Sequence, residues 1–114
     1  MKGRMRSFGY AFRGIAVLLR TQPNARIHLA ATVFAVILGF LLRIGQGEWL
    51  AVVLAIGMVW AAEGLNTALE LLADRVAPEQ HPLVQKAKDA AAAGVLLAAA
   101  AALAVGLIVF VPKL

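Results

Sequence analysis

Glu63, Asn66, Glu70 and Asp74 interrupt a stretch that is otherwise apolar enough to cross a membrane. A helix turns by about 100° per residue, so offsets of three, seven and eleven return close to the starting direction and set all four on one face. Carboxylates and an amide on a common line can accept a proton, hold a cation and bond a phosphate. An acidic side chain at the bilayer centre costs roughly 2.5 to 3.5 kcal/mol, so such groups turn toward a site or a partner rather than toward lipid. The stripe therefore reads as an active site.

A second polar cluster, Lys86, Lys88 and Asp89, opens the next apolar run. A helix start offers unpaired backbone N–H groups and the positive end of the dipole, and Lys88 adds a point charge, a combination suited to phosphate. Taken alone, Lys88 reads as an interfacial lysine and Asp89 as a helix N-cap residue. Beside Glu63 and Glu70 the cluster points instead to a nucleotide carried with Mg²⁺.

The elements that must position these groups follow from composition. Of 114 residues, 62% are hydrophobic and only 15% charged, which marks an integral membrane protein. Three runs are near the ~20 residues that the hydrocarbon layer requires: residues 27–43, 49–72 and 90–111. Residues 43–48 read as a tight turn containing glycine, and residues 74–89, with Pro78 and Pro82, as a longer polar loop. Residues 1–114 form a single domain. The predicted fold is all-α, with three membrane spans behind an N-terminal surface helix over residues 5–20. In that helix Phe8, Phe12, Ile15 and Leu19 recur at spacings of three and four, with Arg6 and Arg13 elsewhere, as suits a helix lying on a membrane leaflet.

Charge orients the chain. Lys2, Arg4, Arg6, Arg13, Arg20 and Arg26 all precede the first acidic residue, Glu48, so the positive-inside rule puts the N-terminus and the 74–89 loop in the cytoplasm. Glu70 then lies near the cytoplasmic edge, with Glu63 roughly 10 Å deeper, at the level of an alcohol borne on a lipid tail. A signal peptide is rejected, because no small-residue cleavage site ends the first apolar run and two further spans follow. Nucleic acid is not an expected partner, since the basic residues adjoin a span and belong to no recognised module. There is no cysteine, which excludes thiol chemistry.

E-G-L-N-T-A-L-E-L-L-A-D from Glu63 to Asp74, followed by A-K-D from Ala87 to Asp89, resembles the prokaryotic diacylglycerol kinase family, which includes the undecaprenol kinases. G-Y-A-F-R-G from Gly9 to Gly14 and N-A-R-I-H-L from Asn24 to Leu29 match it as well, so the resemblance covers nearly the whole chain. It implies a homotrimeric lipid kinase of the bacterial inner membrane, with active sites shared between subunits, ATP as co-substrate and Mg²⁺ as cofactor. By the same resemblance Glu63 is the catalytic base toward the lipid hydroxyl, and Glu70 binds both metal and nucleotide. Asn66 supports the site between them, Lys88 and Asp89 belong to the phosphate-binding end, Tyr10 lies near the nucleotide and His81 falls in a loop that covers it. One departure stands out: where many members have a metal-binding glutamate before the first span, this chain has Gln22.

Other conspicuous residues have plainer readings. His28 and Trp49 are expected at membrane interfaces, and Trp60 in packing one turn from Glu63. The alanines of residues 90–102 form a small-residue surface suited to close helix contact and to trimer packing. Two rivals to the kinase are a non-enzymatic three-helix subunit, which leaves the carboxylate face without a purpose, and an ion or proton pathway, which lacks matching polar groups in the other spans. Diacylglycerol and undecaprenol both present a primary alcohol on a long apolar body, and the lipid-facing residues do not separate them.

Overall fold

A computed structural model describes residues 2–114. Four helices follow one another: α1 (Lys2–Thr21), α2 (Pro23–Leu41), α3 (Gln46–Val76) and α4 (Pro82–Phe110), the last closed by a 3₁₀ turn, Val111–Lys113. Of these, α2, α3 and the α4 segment are long and apolar enough to cross a membrane.

Pro23 separates α1 from α2. The residue before a proline is pushed out of the helical region, and Gln22 is extended, at φ −113° and ψ 108°. Arg26 secures the joint by donating from Nε to the Leu19 carbonyl at 2.9 Å and from Nη2 to the Arg20 carbonyl at 2.8 Å. Those are end carbonyls of α1 that lack helical donors, and a cation there also complements the helix dipole.

The turn between α2 and α3 is shorter than the sequence suggested, because α3 already begins at Gln46. Ile44 N–H donates to the Gly39 carbonyl at 3.1 Å and Arg43 N–H to that of Phe40 at 3.3 Å, the paired bonds of a Schellman ending. The left-handed residue this ending needs is Arg43, at φ 54°, rather than a glycine. Gly39 serves the packing instead. A Cβ there would stand 2.7 and 2.9 Å from two ring carbons of Trp49. Gly39→Ala is therefore expected to cost about 1 to 3 kcal/mol through overpacking. Thermal unfolding in detergent micelles checks this, and an unchanged midpoint would mean that the Trp49 ring is free to move aside.

At the other end the expected 74–89 loop contracts to residues 77–81. Both prolines do break the helix, but they do so close to one another: Pro78 follows the C-cap Ala77, and Pro82 takes the first helical position, where its missing N–H costs nothing. His81 is the N-cap of α4, its Nδ1 accepting the Leu83 N–H at 3.1 Å. Residues 83–89 are thus helical despite their polarity, and Asp89 sits in the helix body rather than at its cap. With 31 residues, α3 is roughly 46 Å long, well beyond the ~30 Å of hydrocarbon, so its last turns can stand in the polar layer.

α3 and α4 share the most extensive interhelical contact, and α2 packs against both. The best-buried apolar cluster, Ile44, Val52, Val109 and Phe110, lies at the end distant from the 77–81 loop. Lys113 closes that end on Glu48 at 3.2 Å. Elsewhere large apolar side chains face outward, among them Phe34, Leu96, Leu103 and Ile108. Exposed apolar surface of that extent is untenable in water and ordinary against lipid or a neighbouring subunit.

Candidate active site

The polar face of α3 is present as the spacing predicts, and it is graded in depth. Glu63 and Thr67 are each only 3% exposed, Glu70 is exposed only in part and Asp74 more fully so on its side chain. α1 contributes to the enclosure: Leu18, the one buried residue of that helix, approaches α3 beside Gly64.

Glu63 has a partner that the sequence did not reveal. His28 reaches across from α2 and sets its Nε2 3.2 Å from Glu63 Oε1. Its backbone belongs to an interhelical relay in which Thr32 Oγ1 donates to the His28 carbonyl at 2.7 Å and accepts from Trp60 Nε1 at 3.0 Å. Such bonds between helices in a membrane average only about 0.6 kcal/mol. Their effect is therefore to set register, holding the His28 turn of α2 level with the Glu63 turn of α3. His28 and Trp60 thus do more than the interfacial and packing roles read from the sequence. The only available signal was the i, i+4 pair His28 and Thr32 on an apolar helix.

One turn along, Asn66 Oδ1 and Thr67 Oγ1 are buried and have no hydrogen-bond partner. A buried polar atom left unpaired costs roughly 1 to 3 kcal/mol, so two adjacent ones call for a partner from outside the chain. Thr67 was not among the expected site residues, although its position about 40° from Glu63 on the helical wheel puts it on the same face.

The second centre lies beyond Asp74. A cavity of about 460 Å³ between the end of α3 and the start of α4 is lined by Asp74, Glu79, His81, Gln85 and Lys88. Lys88 crosses between the helices to Asp74, Nζ to Oδ1 2.6 Å. The expectation that Lys88 and Asp89 stand at a helix N-terminus is corrected here, because α4 starts six residues before Lys88, at Pro82. Any phosphate held by Lys88 would meet a side-chain charge rather than free backbone N–H groups. Asp89 is exposed and accepts from Gln85 Nε2 at 2.9 Å. Tyr10 stays apart on α1, exposed, with the Arg13 guanidinium 5.0 Å from its ring centre.

Among the described residues no three His, Asp or Glu side chains converge to hold a metal ion. That arrangement still suits Mg²⁺ of one particular kind, since Mg²⁺ is commonly bound through one or two carboxylates plus substrate phosphates. Glu70, whose side chain makes no ion pair or hydrogen bond among the described residues, is one carboxylate free to take that role, as is Glu79 on the cavity wall. Gln22 donates from Nε2 to Thr21 Oγ1 at 3.4 Å and adds no charge.

The architecture and this internal polar face define a small multi-pass helical membrane protein with a buried carboxylate site. Comparison with known proteins gives the class. The sequence model described as prokaryotic diacylglycerol kinase matches residues 9–110, and the chain belongs to that family of lipid kinases. It is 41% identical to the undecaprenol kinase of Bacillus subtilis (strain 168) over 96% of this chain and 89% of that one. It is 39% identical to a Synechocystis diacylglycerol kinase over 95% of this chain and 62% of the relative. With the Pseudomonas aeruginosa diacylglycerol kinase it shares 30% identity, over 86% and 80%. No solved structure matches the chain.

Proposed function

We propose that the chain transfers the γ-phosphate of ATP to the primary alcohol of a membrane lipid. The observation that carries this reading is the pairing of two centres on one helix face: a carboxylate 3% exposed at Glu63, and a polar cavity beyond Asp74 with Lys88 on its wall. Seven residues, roughly 10 Å along the axis, separate Glu63 from Glu70, so a lipid hydroxyl and a water-soluble nucleotide can approach from opposite directions.

In this mechanism Glu63 accepts the hydroxyl proton as the alcohol oxygen attacks the γ-phosphorus. The bond from that phosphorus to the bridging oxygen breaks, and ADP departs with the electron pair. Asn66 and Thr67 supply hydrogen bonds at the reacting end, Lys88 meets phosphate oxygens, and His81 borders the nucleotide. Mg²⁺ held by Glu70 and the nucleotide phosphates would offset their negative charge. Gln22→Glu is expected to lower the Mg²⁺ concentration that gives half-maximal rate, as read from initial rates over a Mg²⁺ series. An unchanged or higher requirement would remove position 22 from the metal's surroundings.

The outward apolar faces and the unpartnered Asn66 and Thr67 support a homotrimer with sites completed between subunits. The basic N-terminal residues support an N-terminus and nucleotide cavity on the cytoplasmic side of a bacterial inner membrane, with α1 on the leaflet. Diacylglycerol, giving phosphatidic acid, is one acceptor. Undecaprenol, giving undecaprenyl phosphate, is the second, and relatives named for each acceptor match at 41% and 39% identity, which supports both equally. Transfer of labelled γ-phosphate in mixed micelles, with each lipid offered separately, decides the acceptor. Transfer to neither by folded protein with ample Mg²⁺ would overturn the kinase reading in favour of a structural subunit.

A further inference from the structure

We infer that His28 is a positioning residue for the Glu63 carboxylate; this rests on the reading of Glu63 as the base toward a lipid alcohol. Several observations meet at this side chain. Its Nε2 is 3.2 Å from Glu63 Oε1, in a pair whose side chains are only 20% and 4% exposed. No other described side chain pairs with Glu63, from its own helix, from α1 or from α4. The backbone under His28 is tied to α3 through Thr32 and Trp60, so the imidazole is held at this level independently of its contact with the carboxylate.

An apolar groove ends at the histidine of the pair, with Glu63 behind it and outside the lining. It has a volume of about 490 Å³ and runs between α2, α3 and α4, from His28 to Phe110 and Leu114. His28 and Thr32 are the polar side chains of its lining. The imidazole therefore has one nitrogen on the carboxylate and a flank on the groove. A glutamate side chain free to rotate can point at the groove or away from it. His28 selects the orientation in which the base is presented where an apolar alcohol can reach it. A purely structural histidine would lower stability when lost and leave the chemistry of the folded remainder unchanged. A positioning residue instead loses its effect when the group it positions is disabled.

The test is a cycle of His28→Leu, Glu63→Gln and the double variant, assayed by phosphate transfer to undecaprenol and to diacylglycerol in mixed micelles, with thermal midpoints recorded for each. His28→Leu is expected to lower kcat roughly tenfold to a hundredfold, the scale of a misplaced reacting group, with KM for ATP within about twofold. His28→Gln, which restores an N–H near Oε1, is expected to recover most of that loss. In the Glu63→Gln background, His28→Leu is expected to change the residual rate little. Should His28→Leu not fold, His28→Asn replaces it, since its shorter amide stops short of Oε1. A folded His28→Leu or His28→Asn variant with unchanged kcat, or one that slows the Glu63→Gln protein by the same factor as wild type, overturns the inference. Absence of transfer by the wild-type protein instead overturns the kinase reading beneath it.

Discussion

Glu63→Gln is expected to reduce phosphate transfer by about 10² to 10⁴-fold while leaving the helical bundle folded. The size follows from the work assigned to the carboxylate, since a primary alcohol must lose its proton as it attacks and no other described carboxylate shares that depth. A loss of that order corresponds to about 3 to 5 kcal/mol of barrier. The amide is nearly isosteric with the acid and can still accept a bond from His28 at a position 3% exposed. Its effect on stability should therefore be small. Thermal unfolding in micelles and the labelled-phosphate assay separate the two quantities. A Glu63→Gln variant that melts with the wild type and transfers at a comparable rate would sink the assignment of Glu63 as base. One that no longer folds would instead place Glu63 among the structural groups, as the rival reading of a non-catalytic subunit requires.

How far the sequence reaches can be seen at individual residues. Glu63, Asn66, Glu70 and Asp74 are legible as one face because helical periodicity is a property of a single segment. The three long helices are legible because apolar length is too. His28 is not, because its significance depends on how α2 is rotated and set against α3, and nothing in either segment's own period encodes that register. The extent of helix around Pro78 and Pro82 is obscured for a different reason. Polarity in residues 74–76 and 83–89 suggests loop, whereas both helices continue past the apolar layer and their polar turns remain helical. The same polarity draws Lys88 toward a helix start that in fact lies at Pro82. At Arg43 the neighbouring Gly45 and Gly47 suggest a glycine-made turn, yet the left-handed position falls on an arginine. Side chains remote from the tight point give no sign of it.

Lys88 offers the second large effect. Its ammonium lies 2.6 Å from Asp74 and is 30% exposed on the wall of the cavity beyond α3, while Asp74 is 67% exposed. An ion pair so accessible is worth at most about 1 kcal/mol, too little to account for the placement by stability alone. A triphosphate entering the cavity carries more charge than one carboxylate and can draw the ammonium from Asp74 without leaving a buried charge behind. Lys88→Met is therefore expected to lower kcat/KM for ATP by about 10² to 10³-fold, the range found when one electrostatic donor to a reacting centre is removed. The thermal midpoint should barely move. Asp74→Asn separates the alternatives, since it breaks the same pair but leaves the cation in place, and its kcat/KM should stay within about tenfold of wild type. If Asp74→Asn proves as damaging as Lys88→Met, the pair itself is what matters and it fastens α3 to α4. If only Lys88→Met is damaging, the lysine acts on the nucleotide, and Asp74 serves to hold it at the cavity wall until ATP arrives.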